Sequence, residues 1–303
     1  MAINQINKYV WLLETIHQAG RITLKDINRR WLATEMSEGV EIPRRTFHKW
    51  RIAIEDMFGL VIENENCGEY RYYILNDEEI CNGDVRTWLL STIATSNTLL
   101  NSHTLKHRII LEDVPSGMQW LSVILEAMRE GRVLHIGYKS YWRGEERHYD
   151  LEPFCLKLFK QRWYLIARNP EKDSVLVYSL DRIVELKPLA DHSFVYPADF
   201  SPEEYFEGCY GVIIGDGNPV EQVKLRVTAW ESNYLRSLPL HVSQCETERG
   251  DDFCIFTYSL RPTYDFAQAV LSMGSDVEVL EPLWFRNQVA QTIANANHRY
   301  CNK

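Results

Sequence analysis

Apolar residues recur three and four positions apart through the first quarter of the chain. Ile6, Val10, Leu13 and Ile16, next to His17, form one set; Leu24, Ile27 and Trp31 form a second; Phe47, Trp50 or Arg51, Ile54 and Met57 or Phe58 form a third. That spacing puts each set on one helical face and predicts helices over residues 4–18, 24–33 and 44–58. Gly20 ends the first, Thr23 caps the second after a short Ile22-Thr23 bridge, Pro43 suits the first turn of the third, and Gly59 stops it. Leu60-Val61-Ile62 and residues 70–74, separated by a turn with Cys67-Gly68, read as a hairpin. Three helices and a hairpin are the order of a winged helix-turn-helix, whose third helix enters the major groove.

The helical period continues through residues 76–131, with Val85, Trp88, Leu89, Thr92 and Ile93 on one face and Trp120, Leu121, Ile124, Leu125 and Met128 on another. Asp84 is placed to cap the first helix and Gly131 to close the last, so this stretch is read as a helical connector. From residue 132 the period drops to two. Trp163, Leu165 and Ala167 share one face of a strand, and Arg162, Tyr164 and Arg168 the other. A second strand after the Pro-Glu-Lys-Asp-Ser turn aligns Leu176, Tyr178, Leu180, Arg182 and Val184, which puts an arginine in an apolar row. Residues 191–218, rich in Pro, Gly, Phe and Tyr, read as a linker with aromatic anchors. Residues 219–303 alternate strand and helix: strands at 223–227, 253–260 and 277–280, helices at 234–238, 264–273 and 284–300, an α/β sandwich.

Charge refines this division. The net charge is −9, yet residues 1–75 carry ten Lys/Arg against ten Asp/Glu and residues 132–187 eleven against eight. Anion binding is therefore expected in two segments of an otherwise acidic chain. In the first, Arg44, Arg45, Thr46, His48, Lys49 and Arg51 crowd the front of the third helix, where arginine pairs with guanine edges or phosphates, and Arg71 stands in the hairpin. The plainer alternative is a solvated basic face on a protein-interaction domain. No apolar run approaches eighteen residues and the N-terminus lacks a signal-peptide pattern, so a soluble cytoplasmic protein with no membrane partner is expected. The seven cysteines form no Cys-x-x-Cys pair and read as reduced thiols.

Residues 132–187 resemble the WYL domain, named for the tripeptide present here as Trp163-Tyr164-Leu165. Leu134-His135-Ile136-Gly137-Tyr138, Leu151-Glu152-Pro153-Phe154-Cys155-Leu156 and Leu180-Asp181-Arg182-Ile183 are similar to its first strand, second strand and closing motif. Arg45-Thr46-Phe47 resembles a segment that recurs in regulators of this family, with Lys49-Trp50 where they commonly have Arg-Asp. The stretch from Ser272 to Pro282 resembles the C-terminal extension that often follows. The resemblance implies a small Sm/SH3-like β-barrel that senses nucleic acid or nucleotide-like ligands inside bacterial transcription regulators. It implies an α+β multidomain chain: winged helix-turn-helix over 1–75, connector over 76–131, WYL barrel over 132–190, linker over 191–218 and extension domain over 219–303.

For the ligand the candidates are Tyr138, Arg147, His148, Arg162, Tyr164, Tyr178, Ser179 and Arg182, tyrosines offering stacking faces and hydroxyls and arginines planar forks for phosphate or carboxylate. Trp163 and Leu165 read as core. Arg182 has a structural alternative in a pair with Asp181 or Glu152. Family members often have arginine where Tyr149 and Ser179 stand, so the resemblance implies a less basic pocket here. His103 and His107 lie one helical turn apart but lack a third ligand, so no metal is expected. No nucleophile elbow, phosphate loop or dinucleotide fingerprint occurs, so neither an enzyme nor a cofactor is expected. The reading is a homodimeric, ligand-responsive regulator that binds double-stranded DNA; the alternative is an accessory protein binding RNA or single-stranded DNA and modulating a nuclease or defence system.

Overall fold

A computed structural model describes residues 2–65, 70–76, 92, 110, 112, 114–141, 144–215 and 217–301. The chain divides into two units, residues 1–112 and 113–303. The expected Cys67-Gly68 turn, most of the helical connector and the His103/His107 pair lie outside the described residues.

In the first unit, α1 (Ala2–Ala19), α2 (Leu24–Leu32) and α3 (Arg44–Phe58) pack around a core of Leu12, Leu13, Ile16, Ile27, Trp31, Phe47, Trp50 and Ile54. Leu12 and Thr15 are buried beside the expected stripe of α1, whereas His17 is exposed. Edge-to-face ring pairs join the helices, Trp11 to Trp31 at 4.9 Å and Trp31 to Trp50 at 5.5 Å. Such pairs add about 0.5–1.5 kcal/mol each beyond area burial. Thr23 caps α2 by accepting from the Asp26 N–H at 3.1 Å. The loop into α3 is pinned by Asn28, whose amide donates to the Ile42 carbonyl and whose oxygen accepts from the Ile42 N–H. Three antiparallel strands complete the unit in the order β1 (Ile22–Thr23), β3 (Arg71–Ile74), β2 (Ile62–Asn64). Ile22, Tyr72, Ile62 and Ile74 turn inward, and Phe47 meets Tyr72 at 4.7 Å.

The second unit begins with α4 (Leu121–Glu130), expected in the connector, whose Ile124 and Ala127 are buried on a five-stranded antiparallel sheet. The order is β7 (Ser174–Ser179), β6 (Arg162–Asn169), β5 (Glu146–Phe159), β4 (Arg132–Lys139), β8 (Ile183–Ser193). This corrects the expected barrel: the sheet is open. Its edges β7 and β8 are successive in the chain, joined by a 3-10 turn (Leu180–Arg182), but share no ladder. β5 serves two partners, β4 up to Leu151 and β6 from Glu152, and its ladder with β6 carries a bulge just past the changeover, between Pro153 and Cys155. Proline has no N–H for a ladder, so the irregularity falls where a bond is unavailable. The expected single face from Leu176 to Val184 is also broken, because the 3-10 turn interrupts the alternation. Leu180 is fully buried while Val184 is 48% exposed.

Residues 194–213 cross the outer face of this sheet rather than hang free. Phe154 packs on Phe200 at 4.9 Å and on Tyr196 at 5.7 Å. Lys157 Nζ lies 3.6 Å from the Phe206 ring centre and donates to the Gly211 carbonyl at 2.7 Å. Tyr210 bridges Phe159 and Phe266 at 5.7 and 5.5 Å. A short helix, α5 (Pro202–Tyr205), lies within this segment. Beyond it, β9 (Glu221–Thr228), β10 (Cys245–Arg249), β11 (Phe253–Leu260) and β12 (Val277–Glu281) form an antiparallel sheet in the order β10-β11-β9-β12. Its apolar face, Val223, Leu225, Val227, Phe256 and Tyr258, is covered by α6 (Glu231–Ser237), α7 (Tyr264–Ser272) and α8 (Leu283–Cys301). β10 has no counterpart in the expected pattern, because Cys-Glu-Thr-Glu-Arg is an edge strand without apolar alternation.

Candidate functional site

The front of α3 is a basic surface backed by a buried one. Arg44, Arg45, His48 and Lys49 are exposed and Thr46 is half-buried, while Phe47, Trp50 and Ile54 on the opposite side enter the core. No acidic residue occupies the first turn and no side chain caps it, so its free N–H groups and dipole add to the positive field. Arg51 has a different role from its neighbours. Its guanidinium donates to the Ile62 carbonyl and lies 5.5 Å from the Tyr72 ring centre, fastening α3 to the hairpin. Arg71 is exposed at the start of β3, directly across from Thr23.

The eight ligand candidates fall on two faces of the five-stranded sheet. Paired residues in an antiparallel ladder share a face. Tyr138 pairs with Arg147 and Ile136 with Tyr149, so these side chains lie on the inner face, toward the core that includes Leu134, Leu165 and Leu180. Tyr178 pairs with Leu165 and joins them, its ring 5.3 Å from Tyr138 and 6.1 Å from Tyr149. Arg182 comes to the same corner from the 3-10 turn: its charge acts on the Tyr138 hydroxyl, and its guanidinium lies 4.1 Å from the Tyr141 ring centre. Its Nε is buried without a hydrogen-bond partner among the described residues. Neither structural partner considered for Arg182 takes that place, since Asp181 pairs with Arg162 at 3.8 Å and Glu152 with Arg168 at 3.5 Å.

Tyr164 and Ser179 pair with each other on the outer face, with Lys157 on the far side of Tyr164. Ser179 Oγ donates to Asp181, which also faces Arg162, so two of the candidates form a self-satisfied polar group with Asp181. His148 is on the outer face too, stacked on His135 at 5.4 Å and set beside Glu146. The inner corner of Tyr138, Arg147, Tyr149, Tyr178 and Arg182 therefore gathers the stacking surfaces and two arginines that no carboxylate neutralises among the described residues. Tyr141 follows the end of β4 at Lys139, where alternation carries no signal in the sequence.

Burial sets the chemistry of this corner. It pushes the Tyr178 hydroxyl up to about 12 and raises Tyr138, against the opposing effect of the Ser179 N–H that donates to Tyr138 Oη at 3.3 Å. Both phenols stay neutral at physiological pH and act as hydrogen-bonding groups, so the positive charge comes from Arg147 and Arg182. Burial likewise raises the Cys155 thiol to about 11, which keeps it protonated. No group of three or more His, Cys, Asp or Glu among the described residues is arranged to hold a metal ion.

Two domain families match the chain on either side of the aromatic segment, the WYL domain over residues 119–188 and the WCX domain over residues 219–296. The chain carries a WYL domain followed by a WCX domain. The WYL match starts at residue 119 and so takes in α4, in accord with the packing of that helix on the sheet. The inner corner lies wholly within the WYL domain, while the basic face of α3 precedes it. Among solved structures the chain is similar to proteasome accessory factor B/C (PafBC) of Arthrobacter aurescens, at 19% identity and a TM-score of 0.35, over 94% of this chain and 46% of that one. It thus spans about half the length of that protein. It is also similar to a CRISPR Cas-related protein at 12% identity and a TM-score of 0.39, over 97% of this chain and 86% of that one. No helix among the described residues is long and apolar enough to cross a membrane.

Proposed function

We propose that this protein is a transcription regulator that binds double-stranded DNA through an N-terminal winged helix-turn-helix and responds to a nucleotide-like or nucleic-acid ligand held by its WYL domain. The exposed basic front of α3, set on a three-helix and three-strand scaffold, carries the reading. In that architecture α3 enters the major groove, with Arg44, Arg45, Thr46, His48 and Lys49 toward bases and phosphates, Arg71 toward the backbone, and Arg51 holding the helix in place. In the WYL domain, Arg147 and Arg182 bind the anionic part of the ligand and the tyrosines its planar part. A homodimer presents two copies of α3 to a two-fold operator, and the ligand acts by favouring one spacing of the pair. The protein is not an enzyme in this reading.

Duplex binding measured by fluorescence anisotropy over a salt series tests it. The wild type is expected to bind promoter-region duplex with an affinity that falls steeply with salt, and Arg45→Glu with Lys49→Glu to abolish binding. Absence of duplex binding by the wild type overturns the reading; retention of single-strand binding in that case favours an accessory RNA or single-stranded DNA-binding protein.

A further inference from the structure

A second basic feature of the N-terminal unit is lined by no residue of α3. An open cleft of about 350 Å³ is lined by Arg21, Thr23, Asp26, Arg29, Arg30 and Arg71. The fold assembles it from three elements. Thr23 pairs with Arg71 across β1 and β3, which sets Arg71 beside the cap of α2. Arg21 is held by Glu65 and lies 5.8 Å from the Tyr73 ring centre, on the side of the sheet opposite the buried Tyr72. Arg29 bonds Asp26, whose carboxyl is held below its ordinary range chiefly by the Thr23 hydroxyl. Arg30 and Arg71 have no carboxylate partner among the described residues.

We infer that this cleft clamps the phosphodiester backbone of duplex DNA, an assignment that rests on the DNA-binding reading above. With Arg21 paired to Glu65 and Arg29 to Asp26, the two remaining guanidiniums, Arg30 and Arg71, give the cleft a net positive charge that selects an anion. The form of the cleft selects a polymer: the Arg21 and Arg29 side chains are 63% and 77% exposed, whereas a small-molecule site encloses most of its ligand. Backbone contacts of this kind position a protein on the duplex without reading sequence.

The test compares the full-length wild type with Arg30→Gln/Arg71→Gln on a mixed-sequence duplex and on a promoter-region duplex across a salt series. The double variant is expected to bind both duplexes about tenfold more weakly and to lower the slope of log affinity against log salt by about two. Arg30→Lys/Arg71→Lys is expected to restore most of the slope, and matched thermal unfolding of all three proteins excludes a folding effect. An unchanged slope in a wild type that binds duplex overturns the clamp and leaves the role of α3 standing. A loss confined to the promoter duplex also overturns it, and a wild type that binds no duplex overturns both.

Discussion

At the scale of single residues, Arg182 is the side chain that defines the inner corner of the WYL domain, its guanidinium 4.1 Å from the Tyr141 ring centre and its Nε buried without a partner among the described residues. It comes to that corner from the 3-10 turn, on the same face as Tyr178, while Tyr164 of the signature tripeptide faces the other way. Changing Arg182 to Ala is therefore expected to weaken oligonucleotide binding by the WYL domain about tenfold or more, the loss of a charge-assisted contact, and Tyr164→Phe to leave it nearly unchanged. Isothermal titration with a short single-stranded oligonucleotide measures both. The turn itself depends on Gly117, which has φ +69° and whose added Cβ would come within 2.7 Å of the Asp181 backbone nitrogen. Gly117→Ala is expected to cost roughly 2–4 kcal/mol in denaturant unfolding. In the WCX domain, Arg236 holds Glu246 through two bonds of 2.8 and 2.7 Å, and this lowers the Glu246 carboxyl from 4.5 to about 2. A depressed carboxylate contributes stability that is present above its ordinary value and lost as pH falls toward the folded one. The melting temperature of Glu246→Gln should thus lie below that of the wild type at neutral pH, and the gap should close between pH 4.5 and about 2.

Among the elements, α3 was the most legible in the sequence. Its expected bounds and the observed Arg44–Phe58 coincide because Pro43 and Gly59 mark both ends and an apolar stripe runs between them. Phe47→Ala removes a fully enclosed ring from that stripe and is expected to destabilise the N-terminal unit by about 3–5 kcal/mol, read by chemical denaturation. The basic front of the helix was equally visible, but the separate role of Arg51 was not, since spacing alone offered both Trp50 and Arg51 for the inner stripe. The β elements were less legible where two rules compete. Alternation ran through Ser179 into Val184 and hid the 3-10 turn, and an edge strand of mostly polar residues, Cys245–Arg249, gave no periodic signal at all. The open sheet departs from the barrel that the family resemblance implied, because closure depends on a ladder between β7 and β8 that no local pattern encodes. The candidate ligand residues could be named from the sequence, yet their division between two faces required the register of three strand pairs.

For the molecule as a whole, the segment between the WYL and WCX domains is a set of anchors. Phe200, Phe206 and Tyr210 fix it to the outside of the WYL sheet, and Asp265 of the WCX domain accepts from the Val212 and Ile213 N–H groups at 3.0 and 3.2 Å. Burial lowers the Lys157 ammonium pKa, and its bond to Gly211 helps tie the domains together. In the proposed regulator, the effect of a WYL-domain ligand on DNA affinity is a coupling free energy, commonly a 5- to 150-fold change, about 1–3 kcal/mol. The most direct measurement is duplex affinity with and without a short single-stranded oligonucleotide, in the wild type and in Arg147→Ala/Arg182→Ala. The account predicts a several-fold change in the wild type that disappears in the variant while basal duplex binding persists. Duplex affinity that the oligonucleotide leaves unchanged in the wild type, or changes equally in both proteins, would contradict it.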